Sequence, residues 1–128
     1  VTFLLDTHAL LWANLSPSQL SRTAASILVV PGNTILVSAA SAWEIATKVR
    51  LGKLPGAEVL EREFLEIPRR TGFVLLPIES AIALRAGRLT AVHGDPFDRM
   101  IAAQALALDI PVISKDARLD DFGIRRIW

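Results

Sequence analysis

No cysteine occurs among the 128 residues. Disulfides, zinc–thiolate sites and a cysteine nucleophile are thereby excluded, and a reducing compartment fits. Histidine is scarce, with two in the chain, so any metal site leans on oxygen donors, which suit magnesium or manganese better than zinc or copper. No apolar run approaches the ~20 residues that cross a bilayer. Val1–Leu5 is too short for a signal-peptide core and lacks a basic lead-in. A cytoplasmic protein without membrane contact is expected. The chain begins at Val1, so an initiator methionine is expected to have been removed or trimmed. A strong charge of one sign is also missing: the formal net charge of +1 argues against coating nucleic acid by charge alone, while leaving room for a local basic rim. Repeats, low-complexity segments and linkers are absent, and the length suits one compact domain, residues 1–128.

What is present is a large apolar fraction, 52%, enough for a sizeable core and against global disorder. The mean hydropathy of +0.41 is high for a soluble monomer. It predicts apolar surface covered by a partner, with a homodimer the expected form.

Along the chain, short apolar runs alternate with helical patterns. Thr2–Leu5, Thr34–Val37, Phe73–Leu76, Pro111–Ser114 and Ile124–Ile127 read as strands. Thr7–Asn14 reads as a short helix, and Ser18 or Ser21 as the cap of one running to about Val30. Ala39–Leu51 has helical spacing, with Gly52 as its stop. Glu58–Arg70 is periodic, with Val59, Leu60, Phe64, Leu65 and Ile67 on one side, and Pro68 should kink or end it. A helix over Ser80–Thr90 precedes a loop, Val92–Asp95; Asp95 then caps a helix that opens on Pro96 and runs to about Leu108. Continuously apolar strands alternating with helices predict an α/β fold with a mainly parallel sheet covered on both faces.

In such sheets ligands bind outside the carboxyl ends of the strands. Asp6 and Asp116 fall at those ends, and Glu44 and Asp98 are expected in the first turns of helices that start near that edge. Each acid has an ordinary explanation. Asp6 and Asp116 suit local caps, Asp95 and Asp98 have capping-box spacing, and Glu44 suits an exposed helix position. Together they weigh differently, because Asp6 ends an apolar strand and Glu44 sits among Ala42, Trp43, Ile45 and Ala46. Converging carboxylates repel unless a cation or protons neutralise them. The simplest reading is a magnesium or manganese site for phosphate chemistry, in which two ions about 3.5–4 Å apart would hold an attacking water and a leaving oxygen in line.

At these residues the chain resembles the PIN-domain ribonucleases, specifically the VapC-type toxins of toxin–antitoxin pairs. The matching pieces are Leu4–Trp12 (LLDTHALLW), Ser38–Ile45 (SAASAWEI), His93–Gln104 (HGDPFDRMIAAQ) and Ile113–Asp116 (ISKD), in order and spread over most of the chain. The resemblance implies a three-layer α/β/α PIN-like domain and cleavage of single-stranded or loop RNA at a Mg2+ or Mn2+ site. It also implies a cognate antitoxin that wraps helices in the N-terminal half. By matching position, Asp6 and Asp98 would be principal metal ligands, Glu44 would orient a metal or its water, and Asp116 would be the fourth acid. Asp95 belongs to the Asp-Pro-Phe-Asp-Arg pattern of a subset and would lie at the rim or just behind the metal ligands. Ser114 stands where threonine is common, and a hydroxyl is kept.

Arg99 either holds a phosphate or makes a salt bridge to Asp95 or Glu44. Thr7 and Ser114 either bind a metal-bound water or make local backbone hydrogen bonds. Lys115 either touches RNA or is a plain surface lysine. Lys48, Arg50 and Lys53 form a small basic cluster that would steer RNA toward the acids. His8 and His93 are not needed as acid or base where a metal supplies the nucleophile. Trp12, Trp43 and Trp128 are expected to pack in a core or interface rather than stack on bases. The Glu58–Arg70 segment reads either as a partner-binding helix or as a solvated face. Three rival functions are a PIN-like RNA-binding protein with weak catalysis, an RNA-maturation nuclease without an antitoxin, and a phosphoacceptor domain. The last needs paired acids after the first strand, where only Asp6 stands.

Overall fold

The computed structural model describes residues 1–128. Its strands are β1 (Thr2–Leu5), β2 (Thr34–Ser38), β3 (Val74–Leu76), β4 (Val112–Ile113) and β5 (Arg126–Ile127). Its helices are α1 (Thr7–Leu15), α2 (Arg22–Val29), α3 (Ala39–Arg50), α4 (Glu58–Arg62), α5 (Ile67–Thr71), α6 (Ser80–Arg88) and α7 (Pro96–Leu108). The strands form one sheet in the order β3-β2-β1-β4-β5, and every pairing is parallel.

Strand alternation distributes side chains between two cores. Phe3, Leu5, Ile35, Val37 and Ile113 join one cluster with Ala9 and Leu10 of α1, Ala24 of α2, Ile45 of α3, Leu60 of α4 and Ile67 of α5. Leu4, Leu36 and Val112 point the other way, into a cluster with Ile101, Ala102 and Ala105 of α7 and with Leu119 and Phe122. Helix α6 lies against α7. The result is a three-layer α/β/α arrangement with a wholly parallel sheet, as the strand pattern predicts.

Register then fixes the site. Leu5 is level with Val37 on one side and Ile113 on the other. The residues that follow, Asp6, Ser38 and Ser114, therefore leave three adjacent strands at one edge. Three helix starts near this edge are closed by a side chain of their own turn. Asp6 Oδ1 accepts from Ala9 N at 2.7 Å, Ser38 Oγ from Ala40 N at 2.9 Å, and Asp95 Oδ1 from Asp98 N at 3.0 Å. Helix starts favour such oxygen acceptors because their first N–H groups have no partner within the helix. Of the two serines proposed to cap α2, Ser21 does so, accepting from Ala24 N at 3.0 Å, whereas Ser18 lies in a 3₁₀ turn, Pro17–Gln19.

The segment expected as one helix over Glu58–Arg70 is instead broken into α4, a 3₁₀ turn at Phe64–Glu66, and α5. Pro68 does not end a helix; it sits in the first turn of α5. A continuous helix would drive the Pro68 ring into the carbonyl of Phe64, and breaking the chain earlier puts the proline where no N–H is needed. Leu60, Phe64 and Ile67 form the buried stripe, while Val59 is 53% and Leu65 82% exposed. The five residues expected on one side thus divide between core and solvent.

Candidate functional site

Asp6 is the innermost acid. It is 5% exposed, and Oδ2 accepts a short hydrogen bond from the Ser114 hydroxyl. Burial pushes its carboxyl up to about 6 against the bonds from Ser114 and Ala9, and the charge of Asp98 adds to the rise. Ser114 Oγ in turn accepts from Asp116 N at 3.0 Å, so one hydroxyl links the ends of β1 and β4. Thr7, read either as a partner of a metal-bound water or as making a local backbone hydrogen bond, pairs with the Ser41 side chain, Oγ1 to Oγ at 3.0 Å in the buried layer behind Asp6. That bond ties the start of α1 to α3, one turn before Glu44.

Glu44 is buried, at 4% exposure, and not the exposed helix residue of the ordinary reading. Lys48, four residues on, donates Nζ to its Oε2. Asp98 stands at the start of α7 with Oδ2 accepting from His93 Nε2 at 2.8 Å. Burial raises its carboxyl above the ordinary range; His93 opposes this, and the charges of Asp95 and Glu44 add to it. Asp116 is held by Arg118, Nη2 to Oδ2 at 2.8 Å, and that contact keeps its carboxyl below the usual range.

The four acids named from the sequence therefore arrive at the same sheet edge, where the charge of Asp98 acts on Asp6 and those of Asp95 and Glu44 act on Asp98. Asp116 joins Asp6, His8, Trp12 and Lys115 in lining an open cleft of about 270 Å³. Asp95 caps α7 and contributes charge at the rim.

Arg99 does not make the salt bridge to Asp95 or Glu44. Its guanidinium donates to the carbonyls of Ala86 at 3.0 Å, Ala91 at 3.0 Å and His93 at 2.9 Å, and also to Leu89 and Gly87. It satisfies the last turn of α6 and fixes the following loop, which carries His93. Charge-assisted bonds of this kind are each worth about 1.5–3 kcal/mol. Arg99→Ala is accordingly expected to cost ~2–4 kcal/mol in urea unfolding. A loss below ~0.5 kcal/mol would mean that water replaces the guanidinium at these carbonyls.

Sequence reasoning does not single out His93 and Lys48 as partners of the acids. A Glu–Lys pair four apart on a helix is a readable signal for Lys48. For His93 only its nearness in sequence to Asp98 hints at contact. Trp43 is not core; it is 53% exposed, and its ring meets Phe97 edge-on at 4.5 Å.

A divalent cation fits these residues in donor type and charge. The donors are carboxylate oxygens, and Asp6 and Asp98 are raised by burial and by neighbouring negative charge, an environment that positive charge would stabilise. The side chains are nevertheless turned toward Ser114, Lys48, His93 and Arg118, and no three His, Asp or Glu are gathered as ligands.

The sequence profile described as PIN domain matches residues 3–124. The chain belongs to the PIN domain family. Among curated relatives, this PIN domain is 49% identical over 49 residues to "Ribonuclease VapC16" of Mycobacterium tuberculosis (strain ATCC 25618 / H37Rv). The match takes in 38% of this chain and 35% of that relative, so the chain spans about a third of the relative's length. Among solved structures, a chain of VapBC2 from Rickettsia felis bound to a DNA fragment from their promoter superposes with a TM-score of 0.72 at 15% identity, covering 99% of this chain and 98% of that one. FitAcB from Neisseria gonorrhoeae gives 0.66 at 17%, covering 98% and 96%. At these identities the likeness establishes the fold. No helix is long and apolar enough to cross a membrane.

Proposed function

We propose that this PIN domain, working as one unit over residues 1–128, is a metal-dependent endoribonuclease that cleaves single-stranded or loop RNA and acts as the toxin of a toxin–antitoxin pair. The observation that carries this is the set of acids at the carboxyl edge of the parallel sheet, with Asp6 and Glu44 buried and Asp98 partly buried and coupled by charge to both. The partial match to a relative named as a ribonuclease supports the activity. Neighbours solved as VapBC and FitAB complexes support a cognate antitoxin as partner. The exposed apolar side chains Val59, Leu65 and Trp43 are surface that an antitoxin or a second copy in a homodimer would cover. A cytoplasmic setting follows from an RNA substrate.

Asp6, Glu44, Asp98 and Asp116 would hold Mg2+ or Mn2+. Bound there, the ion would supply Lewis-acid stabilisation of the phosphate and a nucleophile at neutral pH. The chain's own contribution is preorganisation. Ser114 and the Ala9 N–H aim Asp6, the Asp95 cap aims the start of α7 and with it Asp98, and Thr7–Ser41 braces the layer behind them. Lys48 and Arg118 supply counter-charge, and His93 a hydrogen bond, that let the acids stand together in the folded chain.

A second reading is favoured by that same pairing: a PIN-like RNA-binding protein whose acids are neutralised by protein cations. One experiment separates the two. Purified, antitoxin-free protein is incubated with total cellular RNA in Mn2+, in Mg2+ and in chelator, beside Asp6→Asn. Discrete products that need the metal and vanish in the variant support the nuclease. RNA binding without any cleavage supports the second reading.

A further inference from the structure

The cleft beside Asp6 and Asp116 holds more than acids. Trp12, half-buried and a member of neither core cluster, forms one of its walls. The Trp12 ring is braced by Trp128, centroids 5.6 Å apart, and meets His8 at 5.7 Å. The Lys115 ammonium lies 6.0 Å from the Trp12 ring centre, and both Lys115 and His8 are exposed. An aromatic wall, a cation on a long side chain and two carboxylates thus share one opening. The sequence reading favours packing over base stacking for Trp12, yet its neighbours in the cleft are polar groups that packing does not call for.

We infer that this cleft is a nucleobase subsite, in which one unpaired base of the RNA stacks on Trp12 while Lys115 meets an adjoining phosphate. The inference rests on the ribonuclease reading for the position of the phosphate at the acids. Its own content is which face of the site takes the base. Stacking explains the geometry. Trp128 fixes the indole plane, the cleft leaves a wall of that indole open, and a base displaces the lysine from the ring toward the backbone charge it is suited to meet. The requirement for an unpaired base would also make the site selective for single-stranded segments.

The test is a coupling measurement on binding, so it does not depend on turnover. Asp98→Asn protein in Mg2+ is titrated with a fluorescent single-stranded decaribonucleotide and with copies in which one nucleotide in turn is made abasic. One abasic position next to the tightest-bound phosphate is expected to weaken binding about tenfold. In Asp98→Asn/Trp12→Leu that penalty should shrink to less than about twofold, and Trp12→Phe should restore most of it. Lys115→Gln, which removes no packing, should weaken every oligonucleotide alike and flatten the salt dependence by about one charge. An abasic penalty unchanged in Trp12→Leu, or one lost instead in Trp43→Leu, overturns the subsite and places the base elsewhere. Failure of the parent protein to bind any of the oligonucleotides overturns the subsite and the RNA reading together. Cleavage of RNA by the wild-type chain with no coupling to Trp12 leaves the nuclease standing and the subsite refuted.

Discussion

Asp98→Asn is expected to reduce metal-dependent RNA cleavage at least ~100-fold with no loss of folded structure. The size follows from the chemistry: Lewis-acid stabilisation of a phosphoryl transition state is worth several kcal/mol, and each 1.36 kcal/mol is about tenfold in rate. Preservation of the fold follows from the geometry. The cap at the start of α7 uses the Asp98 N–H, not its side chain, and the asparagine oxygen still accepts from His93. The change also removes a charge that burial and the neighbouring Asp95 and Glu44 disfavour. Circular dichroism and a thermal melt should therefore match or exceed the wild type while cleavage is lost. Cleavage retained within about threefold would remove Asp98 from the metal site.

The same residue marks how far the sequence can be read. The Asp95 cap, Pro96 at the helix start and the run to Leu108 are legible because a helix terminus is specified by neighbours within a few residues. The parallel sheet is legible because its strands are apolar on both faces. Ile45 and Ala46 point to burial of Glu44, yet adjacent Trp43 is half exposed, so apolar neighbours alone do not fix the outcome. What cannot be read is pairing across the fold. The Ser114–Asp6 bond joins residues 108 apart, and it exists because β1 and β4 are neighbours in a particular register. Arg99 illustrates the same limit. Its place in the Asp-Pro-Phe-Asp-Arg run suggests phosphate or an acid, but the carbonyls left open at the end of α6 are closer claimants. The break at Phe64–Glu66 escapes notice because the buried stripe of Leu60, Phe64 and Ile67 keeps helical spacing across it.

Asp6→Asn should separate stability from activity most clearly, because the two are expected to move in opposite directions. The folded Asp6 carboxyl titrates at about 6 instead of its ordinary 3.8. Its folded form thus holds a proton more tightly than the unfolded chain does, and stability falls as pH rises between those values. A rise of that size corresponds to roughly 3 kcal/mol, carried as a cost above about pH 6. Asparagine keeps an acceptor for the Ala9 N–H and removes the buried charge, but it disturbs the Ser114 hydroxyl, so part of the gain is lost. In chelator at about pH 7.5 the variant is expected to be ~1–2 kcal/mol more stable than wild type, and near pH 4, where the burial cost has gone and the disturbed Ser114 contact remains, it should be the less stable of the two by about 1 kcal/mol. Adding Mg2+ or Mn2+ should stabilise the wild type and not the variant, since a ligand bound only by the folded state raises stability by mass action. Cleavage should fall with the lost charge. A variant less stable than wild type at every pH would mean that the Ser114–Asp6 bond outweighs the burial of the carboxylate. Equal stabilisation of both proteins by the metal would place the ion away from Asp6.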